Sequence, residues 1–402
     1  MNQPWSGRKL HFVGIGGVGM SGLAKVARIL GADVTGSDRS LQGHAAENVP
    51  PGAEVVYSSA IAPDNPERTT GAPELHRADL LAELTQLKPT IAVSGTHGKT
   101  TTTSMLVHAL PGQSYLVGGE VRSTGTNADW TDGEWLIVEA DESDRSLLKL
   151  HPTIAVVTNA ELDHHTEYAS SRDVDDTFRE FLARARDAVV APDLIRLRDD
   201  AHVFGEYDGS LPVPGAHNRR NAAAALKAIE LAGGDVQAAA GRLATFAGTG
   251  RRFEIVGTAN GATVVDDYAH HPTEVRATIE AARTQGADRV IALFQPHLFS
   301  RTQREAKAFG QALAQADLVV QIDVYPARER QEDYPGITGL LIAQHTADAR
   351  RGVPDIWAKT HATARDILQR TLQEGDLLLT MGAGDVNTIG RDLVAHSEPT
   401  GR

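Results

Sequence analysis

An α/β fold in three domains is what this sequence predicts, and three observations carry the prediction. Apolar runs of strand length recur and end in a glycine turn or a polar cluster, as at 9–15, 91–93, 135–139, 154–158, 290–294 and 376–381. Such runs, alternating with helix-compatible segments, describe buried strands of parallel sheets covered by helices. Two glycine loops of different kinds, Gly14–Gly19 and Gly95–Thr100, each stand between an apolar run and a helical segment. A glycine-punctuated stretch, Ala247-Gly248-Thr249-Gly250, then separates a last block of strand–loop–helix units. The expected domains are residues 1–87, 88–248 and 249–402, within what a 402-residue chain accommodates at ~100–200 residues per domain.

Composition narrows the partners. Hydrophobic content of 41% and charged content of 23% are those of a globular chain with an adequate core. A net charge of −13 argues against a general nucleic-acid or membrane-surface binder, because no basic excess is available to neutralise phosphates. The chain has no cysteine, which excludes disulfides, thiol catalysis and cysteine-ligated zinc. No span approaches ~18 apolar residues, and residues 1–17 lack the apolar core of a secretion signal. A soluble cytoplasmic chain, with neither nucleic acid nor membrane as partner, is expected.

The first segment opens on a strand over 9–15 in which Gly14, Gly16, Gly17 and Gly19 follow the spacing G-x-G-x-x-G before a helix expected over 20–30. This is a Rossmann-like turn. Asp38 ends the next strand nineteen positions after Gly19, where a carboxylate meets a ribose. Alone, the pattern reads as an NAD site. It reports only that backbone approaches a diphosphate at a helix N-terminus, however, and a nucleotide sugar satisfies it equally. Ser58-Ser59-Ala60-Ile61 ends a further expected strand.

The second glycine loop decides between them. Gly95-Thr96-His97-Gly98-Lys99-Thr100-Thr101 follows the run Ile91-Ala92-Val93, and its backbone N–H groups, helix N-terminus and lysine form a phosphate cradle. The Thr100 hydroxyl is placed to hold Mg²⁺. Two residues rather than four separate Gly95 from Gly98-Lys99, so the loop is not a strict Walker A sequence. A central domain of P-loop ATPase type is expected to bind a nucleoside triphosphate, for which a simple dehydrogenase has no use. Glu139-Ala140-Asp141-Glu142-Ser143-Asp144 sits at a strand end, where hard oxygen ligands suit Mg²⁺ and a solvated acidic loop is the plain alternative. Asn159 to His164-His165 repeats the arrangement. His217-Asn218 opens an alanine-rich helix over 222–231, as a cap or facing a base.

In the last segment, Arg251-Arg252 suit a phosphate contact or a plain surface strand end. Asp266-Asp267-Tyr268-Ala269-His270-His271 and Gln295 to Arg301-Thr302 follow further strands, as does Gly382-Ala383-Gly384-Asp385. A second Rossmann-like domain with polar strand ends is the natural place for a second substrate.

The motifs HFVGIGGVGMSGLA, GTHGKTTTTSM, EADESD, TNAELDHH, PGAHNRRNA, RRFE, DDYAHHPTE, FQPHLFSRT, DVYPARE and MGAGD, in this order, resemble the Mur ligases over about Lys9 to Gly390. DDYAHHPTE with FQPH and SRT resembles the branch that adds L-alanine to UDP-N-acetylmuramate. The resemblance implies ATP-driven amide formation in peptidoglycan precursor synthesis through an acyl phosphate, with ATP, UDP-N-acetylmuramate and L-alanine as ligands, Mg²⁺ (or Mn²⁺) as metal, and a monomer or homodimer. Residue by residue, it implies Lys99 on the β/γ phosphates within the loop Gly95, Thr96, His97, Gly98, Thr100 and Thr101. Thr100 with Glu142 would hold one metal ion and His164 a second. Asn218 would meet adenine, Asp267 ribose, and Arg252 the γ-phosphate, with domain closure needed for catalysis. Tyr268, His270 and Arg301 would surround the amino acid. Gly14, Gly16, Gly17, Gly19, Asp38, Ser59 and Asn127 would serve the uridine diphosphate substrate. Two departures stand out: only 206–213 remain where relatives carry extra strands, and Leu298 stands where many have arginine. A recycling ligase that attaches a preformed tripeptide to the same sugar nucleotide is the alternative within the family. A non-catalytic nucleotide sensor and an NAD-linked oxidoreductase are those outside it, and neither accounts for Glu142, His164 and Arg252 alongside Lys99.

Overall fold

The computed structural model describes residues 3–164, 167–350, 352 and 354–397, and these build three sheets. The first holds β1 (Lys9–Val13), β2 (Asp33–Ser37), β3 (Glu54–Tyr57) and β4 (Glu74–His76), all parallel in the order β2-β1-β3-β4. Its helices are α1 (Val18–Ile29) and α2 (Arg77–Leu87). β1 stops at Val13 rather than at residue 15 because Gly14 turns out of the extended region, at φ 77°. Residues 58–61, expected to end a strand, lie beyond β3.

The second sheet contains β5 (Thr90–Ser94), β6 (Ser114–Val121), β7 (Thr126–Asp129), β8 (Leu136–Glu139), β9 (Ile154–Val157), β10 (Asp187–Val190) and β11 (His202–Val203). Their order is β11-β10-β9-β5-β8-β6-β7, parallel except for the β6–β7 hairpin. Every residue of β5 is buried, which is why this central strand reads as an unbroken run. The helices are α3 (Lys99–Ala109), α4 (Ser171–Ala183), α5 (Ala216–Leu231) and α6 (Val236–Leu243). α5 begins six residues before the alanine run, so His217 and Asn218 belong to its first turn and neither is a cap. Asn218 and Asn221, three apart, share a buried face and a side-chain hydrogen bond of 3.4 Å. Among the described residues, no helix or strand lies between β11 and α5, as the shortened 206–213 stretch predicts.

The third sheet runs β12 (Glu254–Ala259), β13 (Ala262–Asp267), β17 (Asp376–Met381), β14 (Arg289–Phe294), β15 (Leu318–Ile322) and β16 (Asp355–Lys359), with β12 antiparallel to β13 and the rest parallel. Along β14, Val290, Ala292 and Phe294 join one buried cluster and Ile291 and Leu293 the other, the period-two division of a sheet covered on both faces. The covering helices are α7 (Pro272–Arg283), α8 (Phe299–Leu313), α9 (Gly339–Ala349), α10 (His361–Thr371) and α11 (Asn387–Ala395).

By packing, the first two sheets share one compact unit, Met1–Pro212 with Asn218–Thr249, and the third sheet lies in a second, Val213–His217 with Gly250–Arg402. Polar contacts join the sheets of the first unit. Asn127 Nδ2 donates to Val18 O at 2.7 Å, Lys25 Nζ to Ala128 O at 2.7 Å, and Lys149 Nζ to Asp79 Oδ1 at 2.7 Å. No helix among the described residues is long and apolar enough to cross a membrane.

Candidate functional site

The loop between β5 and α3 is shaped by two glycines that no other residue can replace without strain. Gly95 has φ 133°, and a Cβ there would run into Thr158 Oγ1. Gly98, the N-cap of α3, has φ 80°, and its Cβ would lie 2.6 Å from Asn221 Oδ1. The loop between them is fastened to the segment after β9. Thr96 Oγ1 donates to Glu161 O at 3.0 Å and accepts from Glu161 N at 2.9 Å. His97 N donates to Asn159 Oδ1 at 2.8 Å, while Asn159 Nδ2 and Thr158 Oγ1 both donate to His97 O. The loop is therefore held by the protein itself, with the N-terminus of α3 facing the cradle.

Lys99, the first residue of α3, turns back over its own loop. Its Nζ donates to Gly95 O at 2.7 Å and lies 2.9 and 2.8 Å from the two carboxylate oxygens of Glu142. Burial works against its charge, but Glu142, with Asp141 and Glu139 behind it, outweighs burial and raises its pKa above that of an ordinary lysine. Glu142 also meets His164, whose Nε2 is 3.5 Å from Glu142 Oε1. His164 sits at φ 50°, an uncommon conformation for a residue with a side chain, and its backbone N donates to Asp163 Oδ1 at 2.8 Å. Thr100 Oγ1 donates to Glu139 Oε1 at 3.0 Å, not to Glu142. Lys99, Thr100, Glu142 and His164 thus come together, joined by Glu139, which the motif reading left unassigned. A hydroxyl, carboxylates and an imidazole around a phosphate cradle are a donor set that fits a hard divalent cation. His165 lies outside the described residues.

At the first sheet, Gly14 N and Ile15 N both donate to Ser37 O, at 2.8 and 2.9 Å, which folds the glycine turn onto the end of β2. Gly17 is the N-cap of α1 and makes no side-chain hydrogen bond. Asp38 Oδ2 accepts from Gly16 N at 3.1 Å, and hydrogen bonds from Ser40 first, with Gly16 after it, hold its pKa below the ordinary value. Ser59 Oγ donates to Asp144 Oδ2 at 2.5 Å and meets His76 Nε2 at 3.0 Å. Ser59 and Asn127 therefore stand where the first sheet joins the second.

In the second unit, Asp267 is buried at the end of β13 and accepts from Phe253 N and Ala269 N, each at 2.8 Å. Burial pushes its pKa up to about 6, against the pull of Arg252 and the two amides. Arg251 and Arg252 place their guanidiniums 5.1 and 5.2 Å from the Tyr268 ring centroid. Arg251 is committed structurally, to Asp266 at 3.2 Å and Gly382 O at 2.7 Å, whereas Arg252 lies 3.7 Å from Glu274. His270 stands edge-on to Tyr268 at 5.3 Å, and its Nδ1 is 3.0 Å from Tyr268 O. Glu274 fixes this corner by accepting from His270 N at 2.9 Å and closing a capping box with His271 on α7. Arg301 is buried on α8, and Leu298 occupies the N-cap position of that helix at φ 71°.

Three family models match this chain in sequence order: a Mur ligase family catalytic domain over residues 9–89, a Mur ligase middle domain over 93–204, and a Mur ligase glutamate ligase domain over 251–384. A UDP-N-acetylmuramate–L-alanine ligase of Streptomyces coelicolor is 42% identical, covering 94% of this chain and 96% of its own. The chain belongs to the Mur ligase family. A UDP-N-acetylmuramate–alanine ligase structure from Thermotoga maritima superposes with a TM-score of 0.81 at 26% identity, over 96% of this chain and 98% of that one. A murein peptide ligase from Psychrobacter arcticus shares the fold, with a TM-score of 0.70 at 21% identity over 97% and 98% of the two chains. The alignment to the Streptomyces relative runs over 445 positions, longer than this Mur ligase itself, so gaps fall within it.

Sequence reasoning missed several residues of this Mur ligase site. Glu139 and Asp141 lie in a hexapeptide whose acidity was legible, but which acid meets which partner was not. Thr158, Asn159 and Asn221 lie within the motifs TNAELDHH and PGAHNRRNA, but their action on the geometry of the 95–98 loop was not legible from those motifs. Arg77, whose Nη2 donates to Asp141 Oδ2 at 2.5 Å, had no local signal, since the two are 64 positions apart.

Proposed function

We propose that this Mur ligase joins L-alanine to the lactyl carboxylate of UDP-N-acetylmuramate with conversion of ATP to ADP and phosphate. The observation that carries the reading is the Lys99–Glu142–His164 constellation on the phosphate loop, in a chain about two-fifths identical to L-alanine ligases over nearly all its length. A carboxylate is a poor acyl donor. Its oxygen attacks the γ-phosphorus of ATP, the bond to the β-phosphate oxygen breaks, and ADP leaves an acyl phosphate. The L-alanine amine, once deprotonated, attacks the acyl carbon, and the C–O bond to phosphate breaks.

Each group has a part in this scheme. Lys99, kept charged, offsets the charge on the β/γ phosphates, and the α3 N-terminus adds its N–H groups. Thr100, Glu139, Glu142 and His164 would hold Mg²⁺. The metal, when bound, neutralises phosphate charge beside the attacking carboxylate. Gly14–Gly19 with Asp38, Ser59 and Asn127 take the uridine diphosphate, Asn218 the adenine and Asp267 the ribose. Arg252 supplies a charge-assisted contact to phosphate, and Tyr268, His270 and Arg301 line the amino-acid site. This ligand set supports a cytoplasmic location as part of the same reading.

The test is phosphate release from ATP with UDP-N-acetylmuramate and, in turn, L-alanine, glycine, L-serine or a tripeptide. Turnover with L-alanine is the expected result. Turnover with tripeptide but not L-alanine would move the chain to the recycling branch, and no turnover with any acceptor would overturn the assignment.

A further inference from the structure

The contacts between the first sheet and the acidic loop of the second converge on a side chain outside every motif. Arg77 is the first residue of α2. Its Nη2 donates to Asp141 Oδ2 at 2.5 Å and lies 4.0 Å from Asp144 Oδ2, so the guanidinium spans two acids of one loop. On its other side it lies against α1, where a Cβ on Gly19 would come within 3.2 Å of Arg77 Nη1. The third glycine of the first loop thus leaves room for an arginine beside the helix end that faces the sugar-nucleotide diphosphate.

Asp141 is one residue from Glu142, and a local turn fixes their relative placement. Ser143 N donates to Asp141 Oδ1 at 3.0 Å, Arg145 N to Glu142 O at 3.0 Å, and the buried Tyr168 hydroxyl to Glu142 O at 2.7 Å. A charge-assisted bond from a planar, permanently charged donor is the firmest anchor available to a partly exposed acid.

We propose that Arg77 is a positioning residue for phosphoryl transfer: seated against Gly19 and bonded to Asp141, it sets the acidic loop so that Glu142 faces Lys99 and His164. The same guanidinium packs against the first glycine loop at Gly19. The inference rests on the function proposed above.

The experiment compares wild type with Arg77→Ala, Arg77→Lys, Asp141→Asn and Arg77→Ala/Asp141→Asn. Steady-state kinetics are measured alongside calorimetric binding of a non-hydrolysable ATP analogue with Mg²⁺. Arg77→Ala and Asp141→Asn each lower kcat by about 10-fold or more, with KM for UDP-N-acetylmuramate within about 3-fold of wild type. Both weaken the analogue to a similar degree, the double variant is no worse than either single one, and Arg77→Lys recovers part of the loss. Losses that multiply in the double variant would overturn the proposal, as would a change confined to KM for the sugar nucleotide. So would a lower melting temperature with kcat per folded molecule and analogue affinity both unchanged. Failure of wild type to turn over would count against the proposed function alone, because the binding comparison still reads the Arg77–Asp141 link.

Discussion

Lys99 shows how one side chain is given a charge and a direction by its neighbours. Hydrogen bonds to Gly95 O and Thr96 O pull the ammonium over the loop, and Glu142 keeps it protonated. Lys99→Ala is expected to lower kcat by about 100-fold or more while leaving the affinity for UDP-N-acetylmuramate nearly unchanged. Isothermal titration with the sugar nucleotide checks the second half, and lost affinity would contradict the placing of that substrate on the first sheet. Asp141 offers a test through pH. Its folded pKa of about 2 lies below the ordinary 3.8, so the group stabilises the fold above pH 3.8 and that contribution disappears as pH falls through 2. With its partial exposure allowed for, Asp141→Asn should cost about 1–2 kcal/mol at neutral pH. Denaturant titrations of the two proteins should converge as the pH is lowered toward 2. A gap that persists there would mean that packing rather than charge is responsible. At this scale the sequence named Lys99, Thr100, Glu142 and His164 from motif context, but not that Thr100 turns to Glu139. That pairing depends on how β8 and α3 lie side by side, which no spacing along the chain encodes.

The element on which the proposed function concentrates is the turn from β5 into α3. A buried strand delivers the loop, positive φ at Gly95 and Gly98 shapes it, and the segment after β9 clamps it from the side. Gly98→Ala places a side chain in the left-handed region and 2.6 Å from Asn221 Oδ1, and should cost about 1–3 kcal/mol of stability together with nucleotide affinity. Adding Asn221→Ala should return part of the melting temperature by removing the steric share and leaving the backbone share. A double variant no more stable than Gly98→Ala would show that the backbone share accounts for all of it. Elements with strong local signals were legible: β5, β8, β9, β14 and β17 are apolar runs buried on both faces, and α3 follows its loop. β4, β11 and β16 were not, since strands of two to five residues at or beside sheet edges bury too little to leave a pattern. The start of α5 was misplaced for a related reason. The alanine run carries the propensity signal, but buried Asn218 and Asn221 extend the helix backwards through a packed face.

Across the whole molecule, ligands of the first unit provide a test of its organisation into two compact units. UDP-N-acetylmuramate at about 100 times its Kd should stabilise that unit by about 2.7 kcal/mol. Differential scanning calorimetry should then show the transition of the first unit move to higher temperature while any separate transition of the second stays in place. Equal movement of two resolved transitions would mean that the units unfold as a coupled pair. The sequence by itself determined the fold class, the succession of α/β segments and the two glycine loops, and its resemblance to the Mur ligases carried the kind of reaction. Glycine spacing and buried apolar strands are local consequences of backbone geometry and solvent exclusion. Tertiary structure alone decided that the first two sheets pack as one unit, that Gly19 makes room for Arg77, and that Arg77 ties the start of α2 to Asp141 in the acidic loop facing Lys99. Those are contacts between residues far apart in the chain, and their energies depend on distances that exist only after the sheets have docked.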